Sequence, residues 1–254
     1  MFITAHMMKT ATILILTMIL TSFIISPDFL AEQKKYERVK TAYKEKEKQI
    51  AETLKTNSIN PDELNILIVS YKDELELDIY AKKKTDAGYK KILSYEVCAR
   101  SGEPGPKRRQ GDSQVPEGFY HIDRFNPTSN FYLSLGLNYP NQADKKKSTA
   151  KNLGGDIFIH GSCVTIGCMP MTDDKIKEIY LYSIQAKNNG QAKIPVYVFP
   201  FKMTDENAKK FKDRYKSNEA LVKFWDNLKT GYDKFEKEKK ELKVSVDANG
   251  DYLF

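Results

Sequence analysis

The sequence predicts an α+β domain with a largely antiparallel sheet and several amphipathic helices. Three observations support this class. From residue 64 the hydrophobic period changes to two, and strands joined by tight turns follow one another, as in an antiparallel meander. A segment with apolar residues at helical spacing begins after residue 172. Two more charged amphipathic segments precede a short C-terminal hairpin.

Seven strands, three helices and a C-terminal hairpin are predicted after residue 60. Alternating or apolar runs predict strands at residues 65–71, 74–80, 91–98, 119–124, 130–137, 157–160 and 194–201. Helical spacing predicts helices at residues 173–188, 205–216 and 218–240, and the Asn-Gly turn signal predicts a hairpin of residues 243–246 with 251–254. Residues 101–118 and 138–155 are interpreted as polar loops.

The first 27 residues predict a signal peptide or an N-terminal membrane anchor. Lys9 precedes an apolar run at residues 11–25, which is short for a membrane span and suits a signal sequence. No clear cleavage site follows the run, so an uncleaved N-terminal anchor is the alternative interpretation. Either interpretation predicts that the remaining chain is exported to the periplasm or cell envelope and contacts membrane only through this segment.

Residues 28–57 predict a charged helix with one narrow apolar stripe. The stripe consists of Tyr36, Val39, Tyr43, Ile50 and Leu54. Such a stripe is more typical of a helix packed on its own domain, and a stalk from the membrane is the alternative. Asn60 and Pro61 end the pattern. Because no repeat or flexible linker follows, we interpret residues 58–254 as one continuous unit.

The composition suits a soluble globular body, with 30% charged and 41% hydrophobic residues. The formal net charge is +7, and a basic balance raises encounter rates with anionic partners. Plain solubility explains the charge equally well. No nucleic-acid or nucleotide motif accompanies it, so we predict no nucleic-acid partner and no cofactor.

The stretch at residues 156–172 carries the candidate chemistry. His160 stands at the exit of a predicted strand, and Gly161 allows a sharp turn after it. Cys168 follows Gly167 and precedes a helix that Thr172 can cap. A thiol ahead of a helix N-terminus, with an imidazole one loop away, has two features that lower a cysteine pKa. The pattern therefore indicates a nucleophile with its base.

Two other interpretations compete with this one. A lone cysteine is more often a small buried hydrophobe, and a histidine at a strand end is more often structural. Zinc is the third possibility, with His160, Cys163 and Cys168 as ligands and Cys98 or His121 as a fourth, but the spacing matches no standard zinc module and we predict no metal. His121 is an alternative base that lacks a glycine turn and a nearby cysteine, so we interpret it as structural.

The segment HGSCVTIGCMPM resembles the active-site signature of the L,D-transpeptidase catalytic domain, the YkuD type. That signature is His-Gly, a variable loop, and Ser/Thr-x-Gly-Cys, matched here by His160-Gly161 and by Thr165-Ile166-Gly167-Cys168. The loop is short, and Ile166 replaces a second histidine. Both departures point to the murein transpeptidase-like subgroup, which includes an enzyme that releases the outer-membrane lipoprotein from peptidoglycan.

Further blocks extend the resemblance to about residues 60–254. They are residues 105–122, 126–141 and 243–254. The resemblance implies a β-rich transpeptidase-like fold, a mixed or antiparallel β-sandwich with a helix after the nucleophile and added helices at both termini.

The resemblance also implies roles for individual residues. Cys168 would be the nucleophile and His160 its base, oriented by the carbonyl oxygen of Gly161. Backbone N–H groups at Gly167 and Cys168 would bind the oxyanion, and Thr165 would support their loop.

Substrate binding is expected beside this cleft. The basic cluster Lys107, Arg108 and Arg109 is expected to hold substrate carboxylates, although a charge run is usually a solvated surface. Tyr132 and Ser134 are expected to contribute from the strand at residues 130–137.

The expected reaction forms a thioester with a peptidoglycan stem peptide and passes it to an amine or to water. A wall-linked lipoprotein is a possible partner. The alternative is a non-catalytic basic module that binds the wall. A cysteine peptidase is the nearest enzymatic rival, but such families place the cysteine before the histidine.

Three cysteines do not make a disulfide framework. At most one bridge can form. If the chemistry requires Cys168 as a thiolate, that bridge must be Cys98–Cys163.

Overall fold

The computed structural model describes residues 29–254, so the predicted export segment at residues 1–27 lies outside the described residues. The α-helices in the described range are α1 (Phe29–Gln33), α2 (Glu37–Thr56), α3 (Gln142–Lys147), α4 (Asp173–Asn188), α5 (Asp205–Arg214) and α6 (Glu219–Glu238). The strands are β1 (Leu64–Tyr71), β2 (Glu76–Lys83), β3 (Lys90–Glu96), β4 (Gly118–Asn126), β5 (Ser134–Leu137), β6 (Phe158–His160), β7 (Met169–Pro170), β8 (Pro195–Phe199), β9 (Ser245–Val246) and β10 (Tyr252–Leu253).

One eight-stranded sheet organises the molecule, in the order β3-β2-β1-β8-β4-β5-β6-β7. Neighbouring strands are antiparallel, except that β1 pairs with β8 and β6 pairs with β7 in parallel. The remaining strands, β9 and β10, form the predicted C-terminal hairpin. The prediction of an α+β fold with a mixed, mostly antiparallel sheet and flanking helices is confirmed.

Both faces of the sheet are covered. In β1, Ile66 and Ile68 belong to a core cluster that includes residues of α2 and α4, whereas Leu67 and Val69 belong to a cluster that includes residues of α5 and α6. Because successive side chains of a strand point to opposite faces, a strand covered on both sides needs apolar residues at nearly every position. The apolar run at residues 66–69 meets this requirement.

In place of the single charged helix predicted at residues 28–57, the structure has α1 and α2, separated at residues 34–36, and α2 packs against α4. Val39 and Leu54 of its apolar stripe are fully buried. Lys46 of α2 also reaches α4, where its ammonium pairs with Asp174 at 2.7 Å and Glu178 at 3.1 Å. Apolar contacts and ion pairs together hold α2 on the domain.

Two local predictions were wrong. The polar loop predicted at residues 138–155 contains α3, whose N-terminus is a capping box: Asn141 and Asp144 each accept the other's backbone N–H at 3.0 Å. The strand predicted at residues 130–137 begins only at Ser134, because Tyr132 has φ = 69° and a left-handed residue cannot continue a strand.

A disulfide joins Cys98, just after β3, to Cys163, in the loop between β6 and β7. The bridged residues are separated by 65 positions, with Cα atoms 5.5 Å apart. Closing a loop of this length in the unfolded chain lowers its entropy, which corresponds to about 4 kcal/mol of stabilisation.

We expect the double variant Cys98→Ser/Cys163→Ser to lose about 4 kcal/mol in free energy of unfolding, measured by urea denaturation without reductant. The unaltered protein treated with reductant is the control and should show the same loss. Equal urea midpoints for the bridged and unbridged proteins would contradict this role of the disulfide.

Candidate active site

Parallel pairing of β6 with β7 places the candidate nucleophile and base on neighbouring strands. His160 lies opposite Pro170 in this register, so Cys168 stands just before β7 and alongside the start of β6. The backbone N–H of Phe158 donates a hydrogen bond to the Cys168 sulfur at 3.4 Å, and the thiol lies 3.5 Å from the carbonyl oxygen of Asp156. No hydrogen bond between the thiol and the His160 ring occurs within residues 29–254.

His160 is buried, with 1% of its surface exposed. Its Nδ1 lies 2.5 Å from the carbonyl oxygen of Gly161. Because a carbonyl oxygen can only accept, this contact makes Nδ1 the protonated nitrogen and leaves Nε2 with its lone pair. Burial lowers the pKa of His160, and the bond to Gly161 opposes this shift. The ring is therefore a neutral base near pH 7.

The sequence did not single out Phe131, whose ring covers the imidazole. The two ring centroids are 4.6 Å apart, and the Phe131 side chain is partly exposed. Phe131 precedes β5 in a turn, so strand periodicity carries no signal for this contact. It gives His160 an apolar lid on the solvent side.

Gly161 is required by close packing. A Cβ at this position would lie within 3.0 Å of Asp173, Phe131 and Tyr132. Asp173, at the start of α4, also accepts the backbone N–H of Ser162 at 2.9 Å. The turn after His160 is thus held tightly between the β5 region and the first residue of α4.

The Thr165 hydroxyl organises the end of the cysteine loop. It accepts the backbone N–H groups of Gly167 at 3.1 Å and Cys168 at 2.9 Å, and it donates to the Cys168 carbonyl at 2.8 Å. These two N–H groups are the oxyanion donors suggested by the sequence. An oxyanion at this position has to share them with the hydroxyl or displace it.

Gly167 adopts φ = 137°, a conformation that L-residues rarely populate. A Cβ there would also lie 3.0 Å from the carbonyl oxygen of Gln114. Both the backbone conformation and the close approach of the 101–118 loop therefore favour glycine immediately before Cys168.

Burial raises the pKa of the Cys168 thiol above its ordinary value of about 9. The Phe158 N–H hydrogen bond lowers this pKa, the charge of Asp156 raises it, and the charge of Lys107 lowers it. With a raised thiol pKa and a lowered His160 pKa, the resting pair is a neutral thiol and a neutral imidazole.

Cys168 and Met169 line a small pocket with a cavity volume of about 20 Å³. Its other walls are the end of β1, the following turn and the segment after β3; the lining residues include Tyr71, Lys72, Val97, Arg100, Ser101 and Pro104. The nucleophile candidate therefore borders a narrow cleft with room for about one water molecule.

A buried ammonium fixes one wall of this pocket. Lys72 donates to the carbonyl oxygens of Glu103 (3.2 Å), Gly105 (2.6 Å) and Val115 (2.9 Å) and to Glu117 Oε1 (2.9 Å). Burial lowers the pKa of Lys72, while the charge of Glu117 raises it. Glu117 also accepts the indole N–H of Trp225 at 3.0 Å, which links the wall to α6.

Two residues of the basic cluster form ion pairs with carboxylates of the protein itself. Lys107 is buried and pairs with Asp112 at 2.7 Å. Arg108 pairs with Asp144 at 3.2 Å and lies over the Phe224 ring. Arg109 alone of the three is exposed. Two of the three predicted carboxylate-binding side chains therefore hold the loop in place.

The other predicted substrate residues are also accounted for. Ser134 is buried in β5, directly opposite His160 in the strand register. Tyr132 is partly buried, with the charged groups of Arg38 and Lys177 at 5.6 Å and 5.5 Å from its ring centroid. Neither residue lines the Cys168 pocket.

The structure separates His121 from the pocket that Cys168 lines. His121 lines a different pocket, and burial lowers its pKa. Cys98 and Cys163 are bonded to each other and offer no thiolate to a metal. In the described part of the chain, no group of three His, Cys, Asp or Glu side chains is arranged to hold a metal ion.

The family model for the L,D-transpeptidase catalytic domain, YkuD, matches residues 65–198. The chain belongs to this family. The match includes His160 and Cys168 and ends within β8, so α5, α6 and the C-terminal hairpin lie beyond it. Between residues 29 and 254, no helix has the length and apolar character needed to cross a bilayer.

Known relatives and solved structures are similar to this chain over about two thirds to three quarters of its length. YafK of Escherichia coli strain K12, which carries the name of an L,D-transpeptidase, is 39% identical over 191 residues, covering 74% of this chain and 73% of YafK. YafK of Escherichia coli O157:H7 matches equally. The crystal structure of the helical cell shape determining protein Pgp2 from Campylobacter jejuni has 19% identity and a TM-score of 0.44, covering 72% of this chain and 74% of Pgp2. Bdellovibrio bacteriovorus Bd1075 has 22% identity and a TM-score of 0.39, covering 67% of this chain and 62% of Bd1075.

We expect the alkylation rate of Cys168 by iodoacetamide to rise with pH and to reach half its maximum above pH 9, because burial disfavours the thiolate. The measurement is mass spectrometry of the protein without reductant, so that Cys98 and Cys163 stay bridged. Cys168→Ala gives the background. A rate that is already at its plateau near pH 7 would mean a preformed ion pair and contradict the neutral resting state.

We expect Thr165→Val to destabilise the fold by about 1–3 kcal/mol, because it removes the acceptor of two backbone N–H groups while keeping the side-chain shape. Thr165→Ser keeps the hydroxyl and is the matched control. Urea denaturation measures both. A Val variant as stable as the Ser variant would show that these contacts contribute nothing.

Proposed function

We propose that the protein is a peptidoglycan-acting cysteine acyltransferase of the cell envelope. Membership of the L,D-transpeptidase family supports a peptidoglycan-related function. The observation that carries the proposal is that Cys168 borders a narrow cleft and stands one strand from His160, whose Nδ1 is held by the carbonyl oxygen of Gly161.

The proposed reaction begins with proton transfer from the Cys168 thiol to Nε2 of His160. The sulfur forms a bond to the carbonyl carbon of a stem-peptide amide that precedes a terminal D-residue. Backbone N–H groups at Gly167 and Cys168 bind the oxyanion as Thr165 gives way. The imidazolium then protonates the leaving amine, the C–N bond breaks, and a thioester remains.

The thioester is resolved by an amine or by water. His160 takes a proton from the acceptor and returns it to the sulfur, so the enzyme is regenerated. An amine acceptor gives a cross-link or attaches a protein, whereas water cleaves the stem peptide or releases a wall-linked lipoprotein.

Export is part of the same proposal, because peptidoglycan lies outside the cytoplasm. Residues 1–27 would provide the signal or the anchor. The alternative, a non-catalytic wall-binding module using the basic cluster, is weakened because Lys107 and Arg108 are paired with Asp112 and Asp144. Such a module also has no use for a thiol beside a pocket.

The test is to incubate the full-length protein with purified sacculi and to analyse the released and cross-linked stem peptides by mass spectrometry. We expect new products with the unaltered protein and a loss on the order of 10⁶-fold with Cys168→Ala, because the nucleophile is removed. The two kinds of product distinguish an amine acceptor from water.

Two controls separate the alternatives. Urea denaturation shows whether Cys168→Ala keeps the fold. Sacculus binding by the Cys168→Ala variant and by a variant with Lys107, Arg108 and Arg109 neutralised tests the binding module. No products with the unaltered protein, unchanged sacculus binding with Cys168→Ala and loss of binding on neutralising the cluster would contradict the enzyme and support the module.

A further inference from the structure

Arg100 is tethered to the loop that carries Cys168. Two residues before it, Cys98 is bonded to Cys163 of that loop. The backbone N–H of Cys98 also donates to the carbonyl oxygen of Pro170, in β7, at 3.0 Å. These two links, one covalent and one through the backbone, fix the start of this segment beside Cys168, and Arg100 lines the same pocket as Cys168.

The Arg100 guanidinium uses only a few of its N–H donors in contacts with the described residues. Its Nη2 donates to the carbonyl oxygen of Asp73 at 2.7 Å, and Nη1 lies 3.5 Å from Asp73 Oδ1, which is a long contact. A guanidinium has five N–H donors, so most of them remain open. The side chain is 41% exposed, and its Asp73 partner is 37% exposed.

The other cations near the pocket lack this freedom. Lys72 is buried with four acceptors around three protons, and Lys107 is buried against Asp112 and the carbonyl oxygen of Arg109. Among the described residues that line the Cys168 pocket, Arg100 is the cation with donors available to a ligand. Glu103, which also lines the pocket, bears the opposing charge.

We propose that Arg100 is the specificity-determining residue that binds a free carboxylate of the stem peptide next to the amide attacked by Cys168. This inference rests on the proposed function. The ligand carboxylate replaces the long contact with Asp73 Oδ1, while the short bond from Nη2 to the Asp73 carbonyl keeps the guanidinium oriented. A planar carboxylate matches the fork of a guanidinium and gives two parallel hydrogen bonds. The role that the sequence suggested for Lys107 and Arg108 passes to Arg100.

The turnover experiment compares stem peptides with free carboxylates and the same peptides with the carboxylates amidated, using the full-length protein. For the free-carboxylate peptide we expect Arg100→Gln to raise KM by about 10- to 100-fold with a smaller change in kcat, as expected for loss of a charge-assisted hydrogen bond. Arg100→Lys should recover part of the loss. For the amidated peptide, Arg100→Gln and the unaltered protein should perform alike.

Arg214→Gln, an exposed arginine on α5, is the matched control and should match the unaltered protein. Equal losses on both peptides with Arg100→Gln would overturn the inference, as would a larger selective loss with Arg109→Gln. The proposed function would still stand in either case.

A binding experiment tests the role of Arg100 independently of the proposed reaction. Calorimetry with the free-carboxylate peptide compares Cys168→Ala with Cys168→Ala/Arg100→Gln, and we expect the second to bind about 10- to 100-fold more weakly. Equal affinity overturns the inference. If the unaltered protein turns over neither peptide but the two binding affinities differ as expected, the proposed reaction fails while the assignment of Arg100 is supported.

Discussion

The buried ammonium of Lys72 is the interaction on which the shape of the site depends. It gathers three carbonyl oxygens from the 101–118 loop and the carboxylate of Glu117 into one cluster beneath the pocket wall. Glu117 extends the cluster to the indole of Trp225, so the wall is also tied to α6. A buried pair of this kind is costly to break, because removing one partner leaves the other charge unpaired. The Lys72 cluster thereby fixes the conformation of the proline- and glycine-rich loop at residues 101–118.

The opposite side of the pocket is fixed by different means. The disulfide holds the segment after β3 against the cysteine loop, and the Thr165 hydroxyl binds both the backbone N–H and the carbonyl oxygen of Cys168. Gly161 and Gly167 each allow a neighbouring segment to approach more closely than a side chain would permit. The thiol is thus positioned by covalent and backbone contacts. Burial raises the pKa of the thiol and lowers the pKa of the imidazole, so both groups favour their neutral forms at rest. The thiol therefore loses its proton during the reaction.

The sequence predicted the features that depend on residues close together along the chain. The positions of the strands β1 and β2 and the Thr172 cap of α4 depend on local sequence, and the sequence predicted each of them. The missed features depend on distant residues. Lys107 and Arg108 look like a solvated cluster, but Asp112 and Asp144 hold them, and Asp144 lies in the helix α3 that the sequence did not predict. Neither Phe131 over the imidazole nor Arg100 at the pocket has a periodic signal, since both lie outside strands and helices.

The central claim is that the sulfur of Cys168 becomes acylated within the pocket. The most direct measurement is to treat the folded protein with a carbapenem, which is a reactive acyl donor, and to locate the adduct by proteolysis and mass spectrometry. The account predicts one adduct, on Cys168, that forms far more slowly when His160 is replaced by alanine. An adduct on another residue, or none on the unaltered folded protein, would contradict it.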